Sequence, residues 1–171
     1  MNEGYIHIYT GEGKGKTTAA FGLALRAAMA DKKVYIGQFV KGMKYSEVDV
    51  EKHIPNIKIE QLGRECFIYK DPTLDDIKRA KEGLEKCRKI LKEGKYNLVI
   101  LDEINIALYY NLIEIEDVIN MLNERSVDVE VVLTGRYAKK ELIEIADLVT
   151  NMDEIKHYYK KGVKARKGIE S

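Results

Sequence analysis

No stretch of these 171 residues is long and apolar enough to suggest a membrane span; the longest purely apolar runs, such as Leu98 to Leu101, fall far short of one. The chain also has almost no net charge, because 29 Lys plus Arg nearly cancel 28 Asp plus Glu. That balance gives no electrostatic reason to expect a nucleic acid or an anionic membrane as partner, so any basic site has to be local. Cysteine is scarce as well. Cys66 and Cys87 form no C-x-x-C pair and have no histidine nearby, which argues against a zinc site or a disulfide framework and leaves them as small core or loop residues. Met1-Asn2-Glu3-Gly4 has neither the basic nor the apolar region of a signal peptide, so a cytoplasmic protein is expected. Only Gln38 and Gln61 represent glutamine, while Lys, Glu and Ile abound, a composition that leans towards a heat-adapted source.

The 45% of hydrophobic residues suffices for one core, and a single domain over residues 1–171 is expected. Tyr5 to Tyr9 is a short β-prone run ending at Thr10-Gly11, and Thr17 to Ala30 has the Ala/Leu content of a helix. Val34 to Val40 reads as a second strand, Lys41 to Pro55 as loop or short helix, and the alternating Ile57 to Leu62 as a third strand near an edge. Next, Ile77, Ala80, Leu84, Cys87 and Leu91 recur at spacings of three and four, the signature of a helix with one apolar face. Thr73 before Asp76 is a capping-box-like start and Gly94 a plausible stop. Asn97 to Leu101 is an apolar strand suited to the middle of a parallel sheet, ending in Asp102-Glu103. Helix 114–124, strand 129–133, helix 139–146 and strand 148–152 continue the alternation, and the basic tail 160–171 shows no period. Strand and helix alternating along a whole chain predict an α/β fold, a mostly parallel sheet with helices on both faces.

Between the first strand and the first helix lies Thr10-Gly11-Glu12-Gly13-Lys14-Gly15-Lys16-Thr17-Thr18. Glycines let the backbone turn its N–H groups inward, the helix N-terminus adds partial positive charge, Lys16 can reach phosphate oxygens and the Thr17 hydroxyl can reach Mg²⁺. The loop departs from G-x-x-x-x-G-K-[ST] in that the first glycine would fall on Thr10. A glycine-rich turn with an incidental lysine is the alternative, and the intact G-K-T between strand and helix argues against it. Asp102-Glu103 ends a strand at the sheet edge where ligands bind, so a carboxylate there can hold Mg²⁺ directly or through water. One of the two acids could instead cap the next helix. Arg136, in Thr134-Gly135-Arg136, either counters triphosphate charge from the same edge or is a surface arginine in a turn. His7 and His157 read as structural. The loop and the acid pair also suit a P-loop ATPase or a small-molecule kinase, in which Glu103 would orient the nucleophile, or a non-catalytic carrier of nucleotide. The absence of Asn-Lys-x-Asp disfavours a GTPase.

The order of motifs resembles one family. Gly11-x-Gly13-Lys14-Gly15-Lys16-Thr17-Thr18-Ala19-Ala20-Phe21-Gly22, Leu25-Arg26-Ala27, Gln38-Phe39-Val40-Lys41-Gly42, Leu101-Asp102-Glu103-Ile104-Asn105, Leu133-Thr134-Gly135-Arg136, Lys156-His157 and Gly162-Val163-Lys164-Ala165 are similar to the ATP:corrinoid adenosyltransferases. The resemblance implies a RecA-like P-loop fold and transfer of the 5′-deoxyadenosyl group of ATP to the Co(I) of a corrinoid, with release of triphosphate. It implies ATP as co-substrate, a corrinoid as substrate, Mg²⁺ held by Thr17 and Glu103, a homodimer, and a flavoprotein as candidate reductant. The residues it puts against the nucleotide are Gly11, Glu12, Gly13, Lys14, Gly15, Lys16, Thr17, Thr18 and Arg136, with Lys16, Thr17 and Glu103 carrying the chemistry. Three positions depart from the family's pattern: Glu12 stands where relatives commonly have Asn, Phe67-Ile68-Tyr69 replaces Phe-Thr-Trp, and Arg166 replaces a usual Gln.

Overall fold

A computed structural model describes residues 3–40, 46–63 and 72–170, with no side-chain detail for 46–48. Lys41 and Gly42, Cys66, and Phe67-Ile68-Tyr69 lie outside the described residues.

Six short strands carry the architecture: β1 (Ile6–Thr10), β2 (Val34–Gln38), β3 (Ile57–Gln61), β4 (Leu98–Asp102), β5 (Glu130–Thr134) and β6 (Leu148–Asn151). They form one sheet in the order β3-β2-β4-β5-β1-β6. All five pairings are parallel, so "mostly parallel" becomes entirely parallel. Every residue of β2 and β4 is buried, as an unbroken apolar strand covered on both faces requires. At one edge β3 exposes alternate residues, and at the other all four residues of β6 are exposed.

The pleat sends alternate residues of each strand to opposite faces, which divides the core in two. On one face Val34, Ile36, Leu98, Ile100 and Val132 meet Ala20, Ala24 and Ala28 of α1 (Lys16–Met29). The small side chains of α1 let the helix lie close to the sheet. On the other face Ile6, Ile8, Val99, Leu101, Val131 and Leu133 meet α2 (Leu74–Glu93), α3 (Ile104–Tyr109), α4 (Ile115–Asn123) and α5 (Lys140–Ile145). Helix α2 buries Ala80, Leu84, Cys87 and Leu91, four members of the expected apolar stripe. Its start is a full capping box between Thr73 and Asp76, and Gly94 ends it in the left-handed region at φ 63°. The stretch 41–55 contains a 3-10 helix, Ser46–Lys52, and the tail contains another, Tyr158–Lys161.

Helix α3 has no counterpart among the sequence-based expectations. It is six residues long, and Ile104, Asn105, Ala107 and Leu108 are all buried, so no apolar-to-polar alternation marks it. It matters because it begins directly after the acid pair and fixes the direction in which the chain leaves the sheet.

Candidate nucleotide site

The carboxyl ends of β1, β2, β4 and β5 share one sheet edge, and there the polar residues collect. Gly11 leaves β1 at φ 100°, and a Cβ there would stand 2.5 Å from the Met152 carbonyl oxygen, so only glycine fits. The Gly13 N–H donates to Met152 O at 2.7 Å, which ties the loop to the end of β6. Gly15, at φ 119°, hands the chain to α1.

Within the loop Lys16 is buried, and its ammonium donates to Gly11 O at 2.8 Å and Gly13 O at 2.7 Å. The lysine thus spans its own loop. Burial lowers its pKa below the ordinary lysine value, as does the nearby Arg136, while Glu103 and Glu12 oppose the shift.

Asp102 is fully buried at the end of β4. Its Oδ1 accepts from the Thr17 hydroxyl at 2.9 Å and the Thr134 hydroxyl at 2.7 Å, and its Oδ2 accepts from Gln38 Nε2 at 3.2 Å. One carboxylate therefore joins α1, β5 and β2 at a single point. Thr134 Oγ1 also accepts from the Glu103 N–H at 2.9 Å, while Asn105 Nδ2 donates to Gly135 O at 3.1 Å. Glu103 sits at the N-cap of α3 with φ 60°, but its side chain makes no cap bond. Its carboxylate lies over Gly135 instead, where an added Cβ would come within 3.2 Å of Oε2. Gly135 itself has φ 126°, so both the conformation and the space require glycine.

Whether this corner suits Mg²⁺ turns on its donors. Thr17, Asp102 and Glu103 supply hard oxygens, the kind that cation selects. Gln38 Oε1, beside Asp102, is buried and accepts no hydrogen bond among the described residues, so an acceptor is left over at the same place. The donor set fits the ion.

Arg136 reaches back to the loop. Its Nη2 donates to Glu12 O at 3.2 Å and its Nε lies 3.6 Å from Glu12 Oε2. The Glu12 carboxylate therefore turns to Arg136 at the mouth of the loop, on the cavity wall. Lys14 also faces outward, where its ammonium donates to Tyr158 OH at 3.1 Å, Ile169 O at 3.0 Å and Glu170 Oε1 at 3.2 Å. The Tyr158 hydroxyl and then Glu170 hold it charged and raise its pKa. The basic tail, aperiodic in sequence, is thus fastened to the phosphate loop. Sequence reasoning missed this contact, along with the anchoring roles of Asp102, Thr134 and Gln38. The one available signal was the presence of polar residues at the ends of four apolar strands.

A cavity of about 1140 Å³ opens from the loop. Gly13 to Thr18, Glu103 and Arg136 line its polar end, and Phe21, Val40, Val50, Ile106 and Tyr110 its apolar flank. Glu154, His157, Tyr159 and residues 168–170 form the wall nearest the tail. Single small-molecule sites occupy about 300–1,000 Å³, so there is room for more than a nucleotide. Of the two histidines read as structural, His7 pairs with Glu130 at 2.6 Å away from this cavity, whereas His157 accepts from Tyr159 N–H at 3.0 Å and lines it, as does the third histidine, His53.

Known proteins are similar to this chain in fold and in sequence. The crystal structure of a KaiC-like protein from the hyperthermophilic archaeon Pyrococcus horikoshii OT3 matches 90% of this chain and 74% of its own at a TM-score of 0.58 and 17% identity, a likeness that shows the RecA-like fold alone. A corrinoid adenosyltransferase from Sinorhizobium sp. is 39% identical, spanning 98% of this chain and 80% of its own length. Those from Escherichia coli (strain K12) and Salmonella typhimurium are 34% and 32% identical, each spanning 98% of this chain and 85% of its own. The profile of the family described as ATP:corrinoid adenosyltransferase BtuR/CobO/CobP matches residues 2–171. With the phosphate loop and the buried acid in place over the whole of that match, the chain belongs to the ATP:corrinoid adenosyltransferases, a family of transferases.

Proposed function

We propose that this chain transfers the 5′-deoxyadenosyl group of ATP to the Co(I) of a corrinoid and releases intact triphosphate. The observation that carries the reading is the coupling of Thr17 to the buried Asp102 beneath a loop whose lysine is already aimed inward. Such a loop grips a polyphosphate, and the apolar flank of the cavity offers the flat face of a macrocycle a place beside it.

In the reaction Co(I), a strong nucleophile, donates an electron pair to the ribose C5′. The Co–C bond forms as the C5′–O5′ bond breaks, its electron pair leaves on the triphosphate, and cobalt becomes formally Co(III). No proton moves and no protein nucleophile is needed. What the protein supplies is stabilisation of charge as it grows on the leaving group. Loop backbone N–H groups other than that of Gly13, which donates to Met152 O, and the Lys16 ammonium meet the phosphates, and Arg136 joins them from just beyond β5. Thr17 and Glu103 hold Mg²⁺, with Asp102 fixing the Thr17 hydroxyl, and the ion supplies Lewis-acid stabilisation of the polyphosphate. The working unit is a homodimer in the cytoplasm, and a flavoprotein supplies the electrons that reduce cobalt.

The test is the phosphorus-containing product after ATP and chemically reduced cobalamin are mixed with the protein. Triphosphate together with a light-sensitive adenosyl product supports the reading. Orthophosphate or ADP formed without corrinoid sinks it in favour of a phosphoryl-transfer enzyme.

A further inference from the structure

Two exposed cations stand at the mouth of the phosphate loop, and each faces a carboxylate. Arg136 meets Glu12 at 3.6 Å, and Lys14 meets Glu170 at 3.2 Å. Both acids line the cavity. The Arg136–Glu12 pair is 48% and 61% exposed, so it is weak and yields to a stronger anion. Its charge, however, cannot leave. Glu12 is part of the loop, between two glycines whose carbonyls Lys16 spans, so it stays beside whatever anion the loop holds.

A site that stabilises growing charge on a leaving group also binds the departed group tightly, which delays the next turnover. We propose that Glu12 and Glu170 are internal competitors of the triphosphate: they pair with the outer cations of the loop and hold down its affinity for the free product. This rests on the reading that triphosphate is the leaving group. Free triphosphate carries more charge than the esterified chain of ATP, so a fixed carboxylate repels the product more than the substrate. The two acids thereby favour exchange of product for fresh ATP.

Equilibrium binding of inorganic triphosphate and of ATP, each with Mg²⁺, to the full chain tests this without any corrinoid. E12Q should tighten triphosphate about fivefold and ATP by less, the size expected of one charge about 4 Å away and screened as in bulk water. E12D, which keeps the charge, should stay within about twofold of the parent, and added salt should shrink the E12Q gain. E170Q should act in the same sense, while Tyr158→Phe, which removes a tail contact without a charge, should not. Unchanged or weaker triphosphate binding in E12Q, or equal gains for ATP and triphosphate, overturns the proposal. If the parent chain binds neither anion, the failure belongs to the phosphate-loop reading itself.

Discussion

Asp102 shows how one side chain can hold a site together. Its carboxylate is wholly buried and accepts from Thr17, Thr134 and Gln38, so replacing it with alanine strands three donors at once. Asp102→Ala should cost about 3 kcal/mol or more of stability in a denaturant titration and abolish Mg²⁺-dependent nucleotide binding. Lys16→Ala removes a donor that serves only the loop, and ATP affinity should fall about 10- to 100-fold by calorimetry with the fold intact. A third residue reports on pH. Burial pushes the Cys87 thiol up to about 12, with Glu60 adding to the shift. Folding holds that proton while the unfolded chain releases it near its ordinary value, so this contribution is complete below about pH 8.5 and is lost as pH rises towards 12. Stability measured across that window should decline, less steeply in Cys87→Ala, and the native thiol should resist alkylation at pH 8.

At the scale of elements, legibility followed length and period. Helix α2 was readable because five apolar positions, Ile77 to Leu91, recur within its twenty residues, and its two ends carry their own chemistry. Thr73→Ala should remove the capping bond and cost about 1 kcal/mol, seen as a fall of about 2–4 °C in the melting temperature. Strands β1, β2, β4 and β5 were found to within a residue or two because each is an apolar run bounded by polar residues. Helix α3 was not, since its six residues, four of them buried, are too few to show a period. The choice between Asp102 and Glu103 was equally out of reach. Neighbouring residues at a strand end point in different directions, and only the packing of β5 against β4 puts Thr134 on Asp102. Lys14 illustrates a third limit, because its partners Tyr158 and Glu170 are 144 and 156 residues away in the chain.

For the whole molecule, ligand binding and stability should move together. If Mg·ATP is bound by the folded chain alone, 100 times its dissociation constant adds about 2.7 kcal/mol. The melting temperature should then rise by about 5–11 °C, and a chelator should remove most of that gain. No rise would show that the cavity does not take the nucleotide.

Strand β1, which launches the phosphate loop, has β5 and β6 as its neighbours, and both come from residues 130–151. During synthesis β1 must therefore wait, unpaired, until residues 130–151 have left the ribosome. The half-sheet of β2, β3 and β4 can assemble much earlier. Nucleotide capture is accordingly a late event in the life of the nascent polypeptide, and a chain released before residue 130 would keep the whole G-K-T sequence yet lack both strands beside β1 and the Met152 carbonyl that receives the Gly13 N–H.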